Sequence, residues 1–306
     1  MTPSRAGQQM PKNIVIMGPT GSGKTSFINI ASGSRLRVGK GLRSTTGCTQ
    51  TSRTFRVDGC PVRLIDTPGF DDSNMSDVEI LTKITKILSS KKMVVHGIIY
   101  LHRITDNRMS GTARRSFDTF RYLCGEALPN AAVVLNMWDM VSDPVRIARE
   151  EELRTKFYKP AFDAGAQLFR HVNTVESAHR VLQALASQDP LPLRIQTEIA
   201  IEGKQLWQTT VGMSLLQHMA EKEQRRLDAA RDSEFRDEKL IHQETDYGEG
   251  YQDVECWMIC LTKFVQEHSR AERLSGSSMQ RLWVQLIKRL QELLICLING
   301  SRNCVP

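Results

Sequence analysis

The nine residues Met17–Thr25, MGPTGSGKT, constrain this chain more than any other stretch. They follow an apolar run, NIVI (13–16), and precede SFINIAS (26–32). The spacing Gly18-x-x-x-x-Gly23-Lys24-Thr25, between a strand-like run and a helical pattern, is the P-loop arrangement. Glycines at 18, 21 and 23 let backbone N–H groups turn inward onto phosphates, where side chains would block them. The helix N-terminus that follows adds partial positive charge. Ser22 and Ser26 belong to the same cradle. Lys24 is placed to reach β and γ phosphates, and the Thr25 hydroxyl to ligate Mg2+.

Alternation around this motif sets the fold class. Apolar runs at 13–17, 54–57, 62–66, 94–101, 131–136 and 166–172 alternate with helical spacing at 24–32, 77–89, 112–124 and 175–186. Such a pattern predicts an α/β three-layer sandwich with a mostly parallel six-stranded sheet. One antiparallel pair is expected, because Asp58-Gly59 makes a short turn between two of the runs. The predicted P-loop domain covers 12–190, after a flexible N-terminus at 1–11. Pro190 and Pro192 mark its boundary. A helical or coiled-coil extension is expected over 191–240, and a tail containing an amphipathic helix (279–300) over 241–306. That last helix is too charged for a confident membrane span and suits packing, a helical partner or a membrane surface.

About forty residues beyond the P-loop, VRLIDTPGF ends a strand-like run. Asp66 is positioned there to hold Mg2+ through water, and Gly69 to offer its N–H to a γ phosphate. Between the two motifs, GKGLRSTTGCTQT (39–51) has no periodicity, as suits a switch segment. Thr46, favoured over Thr45 and Thr49, is expected to complete the Mg2+ shell.

Asn136-Met137-Trp138-Asp139 ends another strand-like run and has the spacing that reads guanine. A carboxylate at Asp139 accepts from N1–H and N2–H2 of guanine, donors that adenine lacks. Leaving such a group unpaired discriminates by about 10^4–10^5. Met137 stands where lysine is usual and keeps only an apolar stem. Asn136 is expected to brace the loops, and Asn173 to lie near the base's O6.

Composition narrows the remaining classes. The net charge of +7 is largely interleaved with acids, as in 221–240, and no basic stretch alternates with aromatics. Nucleic-acid binding is therefore not expected. Seven cysteines without paired spacing, and an N-terminus unlike a signal or transit peptide, suggest a cytoplasmic protein with free thiols. Cys256, Cys260 and His268 do not complete a zinc pattern.

The ordered set GPTGSGKT, Ser44-Thr45-Thr46, DTPG, NMWD and Asn173 resembles the septin-like branch of translation-factor-type GTPases. Within it the chain is similar to the immune-associated nucleotide-binding (GIMAP-like) GTPases, and to a group of fungal P-loop G-domain proteins sharing LIDTPGFDD, GIIYLHRITDNRMSG, NMWD and GAQLFRHVNT. This resemblance covers about 12–205. It implies GTP/GDP and Mg2+ as ligands, pairing of G domains into a homodimer across the nucleotide, and Thr46 as the switch threonine.

Phe70 occupies the position where Ras-like enzymes carry a water-orienting glutamine, so slow turnover is expected. In GIMAP-like proteins the region matching YLHRITDNRMSG lies near the dimer interface, which suggests Arg103 or Arg108 as an arginine supplied in trans. A GTPase activated by dimerisation is the expected function. The alternatives are a non-hydrolysing GTP-binding assembly scaffold and, more remotely, an ATPase or small-molecule kinase built on the same P-loop.

Overall fold

The computed structural model describes residues 9–38, 50–70, 76–88 and 93–237. Strands β1 (Lys12–Met17), β2 (Gln50–Thr51), β3 (Phe55–Val57), β4 (Cys60–Asp66), β5 (Val95–Arg103), β6 (Ala131–Asn136) and β7 (Gln167–Arg170) form one sheet of order β2-β4-β1-β5-β6-β7, with β3 also paired to β4. Helices α1 (Lys24–Ser32), α2 (Asp77–Leu88), α3 (Gly111–Cys124), α4 (Asp143–Glu152), α5 (Lys159–Asp163), α6 (Val175–Ala186), α7 (Arg194–Gln196) and α8 (Thr210–Asp237) complete it. Among the described residues the sheet has seven strands, which corrects the expected six. The addition, β2, has two residues and runs antiparallel to β4, too short to leave a pattern in sequence.

The central strands are parallel, and β3–β4 is the expected antiparallel hairpin. Asp58 (φ 46) and Gly59 (φ 75) make its turn. Alternation along β1 assigns each residue to a face of the sheet. Val15 and Met17 join a core with Ile80, Leu81 and Ile84 of α2 and Phe117 and Phe120 of α3. Ile14 and Ile16 join the opposite core with Phe27 and Ile28 of α1 and Val181, Leu182 and Leu185 of α6. Each such side chain, when fully buried, contributes about 1.5–3 kcal/mol. Because the inner strands are parallel, β1, β4, β5, β6 and β7 all deliver their C-terminal ends to one edge, where ligands bind in open α/β sheets.

Beyond α6 the chain departs from a continuous helix. Residues 188–193 are non-helical, α7 gives way to a π-helical turn (Thr197–Ile201) and a 3-10 turn (Leu206–Gln208), and only then does α8 begin. Leu193, Ile195 and Val211 enter the core containing α2 and α3, so burial overrides the helical preference of 194–209. Glu198, 4% exposed, caps α8: its carboxylate accepts from Thr210 N at 3.0 and 3.1 Å and Thr210 Oγ1 at 2.7 Å. One compact unit extends to Ala230. The segment 279–300, Cys256, Cys260 and His268 lie outside the described residues. No helix among the described residues is long and apolar enough to cross a membrane.

Candidate functional site

The P-loop joins β1 to α1 through three left-handed or otherwise glycine-favoured conformations, at Gly18 (φ 142), Gly21 (φ 77) and Gly23 (φ 90). Space enforces glycine as strongly as φ does. A Cβ at Gly18 would lie 2.4 Å from the Leu101 carbonyl, and one at Gly23 would lie 2.4 Å from Asn136 Nδ2. Lys24 Nζ donates to the carbonyls of Gly18 and Pro19, each at 2.9 Å, so the ammonium curls around the loop. Ser22 is buried and Ser26 half-buried on the first turn of α1.

Asp66 ends β4, directly beside β1. Its Oδ2 accepts from Thr25 Oγ1 at 2.6 Å, while Oδ1 is buried without a hydrogen-bond partner. Burial pushes this carboxyl above the usual range, against the opposing effects of the Thr25 hydrogen bond and the Lys24 charge. An orphaned carboxylate oxygen beside a hydroxyl is the donor set a hard cation takes, so Thr25 and Asp66 fit Mg2+. Thr46 lies outside the described residues, as do the other switch threonines.

The segment after Asp66 is fastened to the P-loop. Thr67 Oγ1 donates to the Ile16 carbonyl at 2.8 Å, and Thr20 N donates to the Phe70 carbonyl at 2.9 Å. A Cβ at Gly69 would meet Thr20 Oγ1 at 2.6 Å and Lys24 Nζ at 2.8 Å, so only glycine permits this approach. Phe70 is 4% exposed and packs in the core with α2 and α3.

At the end of β6, Asn136 bridges the two halves of the site. Its Nδ2 donates to the Ser22 carbonyl at 2.8 Å, and its Oδ1 accepts from Met137 N at 2.8 Å. Met137 takes a left-handed conformation (φ 59), which brings its methyl group against the glycine at 23. Asp139 is exposed. Asn173, also left-handed (φ 59) and exposed, follows β7. The two loops are joined, since Trp138 N donates to the His171 carbonyl at 3.2 Å and His171 N to the Leu135 carbonyl at 2.9 Å.

Arg103 ends β5 and ion-pairs with Asp106 at 3.0 Å. Its guanidinium lies against its own P-loop, with Nη1 3.2 Å from where a Cβ on Gly21 would be. Arg108 is exposed on the following loop. His102 points into the core, where its Nδ1 bonds the Tyr158 hydroxyl at 3.0 Å and burial lowers its pKa to about 4.

Residues 13–122 match the family model described as 50S ribosome-binding GTPase. The matched residues include both the P-loop and the Asp66–Gly69 segment, and are similar to those of GTP-binding G domains. Over 170 residues the chain is 32% identical to GTP-binding protein A of Dictyostelium discoideum, covering 54% of this chain and 36% of that protein. Over 127 residues it is 28% identical to immune-associated nucleotide-binding protein 10 of Arabidopsis thaliana, covering 40% and 27% respectively. The matched stretches thus span about a third of these relatives. Among solved structures, Toc33 from Arabidopsis thaliana in complex with Mg2+ and GMPPNP aligns with a TM-score of 0.47 at 16% identity, over 60% of this chain and 87% of that one.

Several residues around this site were not singled out by sequence: Thr20, His171, Arg146 and Arg170. Arg146 sits on α4, whose residues are all at least partly exposed, so no apolar stripe announced that helix. Thr20 is a P-loop position where any residue is allowed. Its neighbours come together only in the folded chain.

Proposed function

We propose that this protein hydrolyses GTP to GDP and phosphate with Mg2+, slowly as a single copy and faster when two G domains pair. The carrying observation is the Thr25–Asp66 hydrogen bond beside an unpartnered carboxylate oxygen, at the foot of a glycine-enforced phosphate loop. In this reading Lys24 exchanges its carbonyl partners for β and γ phosphate oxygens, and the P-loop N–H groups hold the rest of the chain of phosphates. Bound Mg2+ neutralises charge developing on the β and γ oxygens. Thr25 and Asp66 orient the metal, with Thr46 expected as the third protein group. Gly69 reports the γ phosphate through its N–H, since nothing larger than hydrogen fits beside Lys24. Asp139 reads guanine, Asn173 borders the O6 edge, and Asn136 holds the base loop to the P-loop.

Arg103 supports a role within its own chain, because it already lies against Gly21 and is steadied by Asp106. Arg108 is the better candidate for reaching a partner's nucleotide, being exposed beyond that anchor. The buried Phe70 favours a second reading, a scaffold that holds GTP and scarcely turns it over, because its ring offers an attacking water nothing.

Phosphate release from GTP over a hundredfold range of protein concentration, with ATP as control, separates the two. Specific activity that rises with concentration and falls in R108A supports the paired GTPase. A flat rate near background with GTP still bound supports the scaffold, and equal use of ATP removes the guanine assignment.

A further inference from the structure

We propose that the Thr20 hydroxyl is a further catalytic group, donating a hydrogen bond to the γ-phosphoryl group of GTP as it is transferred to water. The inference rests on the GTPase reading above and assigns a residue that reading leaves idle.

Three observations converge on this hydroxyl. First, Thr20 Oγ1 is buried and has no hydrogen-bond partner. A buried donor left unpaired is disfavoured, and native structures keep few of them without a reason. Second, its surroundings belong to the chemistry. The point 2.6 Å from Thr20 Oγ1 that a Gly69 Cβ would occupy is also 2.8 Å from Lys24 Nζ. The hydroxyl, the ammonium and the glycine that faces the γ phosphate therefore surround one small volume. Third, the hydroxyl does not hold the loop in place. The backbone does so instead, through Thr20 N to the Phe70 carbonyl at 2.9 Å and the bridge between Pro19 and Phe70. Had the side chain been structural, it would have a partner.

The same backbone bond links the proposal to the missing glutamine. Phe70 turns its ring into the core and gives its carbonyl to Thr20, so the position that orients water in Ras-like enzymes serves here to fix Thr20. In the proposed step, the water oxygen bonds to γ phosphorus while the bond from γ phosphorus to the β–γ bridging oxygen breaks. GDP leaves with that electron pair, and the water's proton passes to the phosphate formed. Thr20 is unchanged throughout. Its O–H meets negative charge on a γ oxygen, the kind of preorganised donor that accounts for large rate effects when removed.

Thr20→Val keeps the shape and deletes only the hydroxyl, and Thr20→Ser keeps the hydroxyl and deletes the methyl. The expected result is a turnover loss of about tenfold or more in T20V. T20S should stay within about twofold of wild type, and both should bind a fluorescent GTP analogue within about twofold of wild type. T20V is also expected to melt no lower than wild type, since it removes an unsatisfied buried group. Equal turnover in wild type and T20V overturns the proposal while leaving the GTPase reading intact. So does an equal fall in T20V and T20S, which would make the side chain a spacer. A wild-type protein that binds GTP and releases no phosphate at any concentration overturns the GTPase reading, and this proposal with it.

Discussion

The Arg170 guanidinium lies over the Trp138 ring, 4.4 Å from its centroid, and forms a two-bonded pair with Glu150 at 2.7 and 2.9 Å. Arg146 approaches the same ring at 5.2 Å and donates to the Trp138 carbonyl at 2.9 Å. Trp138 immediately precedes Asp139, so β7 and α4 together grip the loop that is proposed to read guanine. Cation–π contacts of this kind contribute about 0.5–2 kcal/mol. R170A is therefore expected to weaken GTP binding about threefold to tenfold, whereas R170K should retain most of it. Titration with a fluorescent guanine nucleotide checks this. Unchanged affinity in R170A would show that the loop holds Asp139 without the clamp.

Asp66 sets function against stability. Its folded-state pKa is raised, mainly by burial, so folding disfavours its charged form. The sign follows directly: the native state is penalised increasingly as pH rises from the ordinary carboxylate range through the raised value, and the penalty persists at neutral pH. D66N retains an acceptor for Thr25 and loses the charge. It should melt higher than wild type in metal-free buffer at pH 7 while losing Mg2+-dependent tightening of GTP binding. A lower melting temperature in D66N would show that the Thr25 pair outweighs desolvation.

His102 predicts acid sensitivity. Its pKa is lowered to about 4 by burial, so its contribution is intact above the ordinary histidine value and is lost as pH falls from about 6.5 towards 4. Linkage over that interval is about 3 kcal/mol at most. His171, also buried and lowered to about 4 mainly by burial, acts in the same direction. Thermal melts from pH 7.5 to 4.5 should fall more steeply for wild type than for H102Q. Parallel curves would assign the acid loss to other groups.

Glu198 holds the start of α8, and its removal tests whether that helix depends on the core of the α/β unit. E198A leaves the Thr210 N–H and hydroxyl without their buried acceptor and should cost about 1–3 kcal/mol. Hydrogen exchange should accelerate over 209–215 before it does so in β1 or β6. Unaltered exchange there would mean that water replaces the carboxylate without loss.

Much of this architecture was legible in the residues themselves. The continuous apolar runs of β1 and β6 and the apolar spacing of α1 and α6 matched the observed elements to within a residue. Asn136, expected as a brace, donates to the Ser22 carbonyl and accepts from its neighbour Met137, the contacts on which its proposed role rests. What escaped has physical causes. Helix α4 buries none of its residues, so its role in gripping Trp138 depends on arginines rather than on an apolar face. The break at 197–209 comes from long-range packing of Ile195 and Val211 and from the buried Glu198, interactions no local propensity encodes. Thr20 and Gly69 are close only because β1 and β4 are neighbours in the sheet.

One further consequence follows from Asn136. By tying the end of β6 to the Ser22 carbonyl, its amide makes the distance between base loop and phosphate loop a fixed gauge. In the proposed reading a nucleotide is measured along its length before its parts are read. Two weak half-sites joined through one ligand reinforce each other only when the spacing matches, because the second contact is then intramolecular. Guanosine alone or pyrophosphate alone therefore engages one jaw of this caliper, and only a molecule carrying both at the set interval closes it.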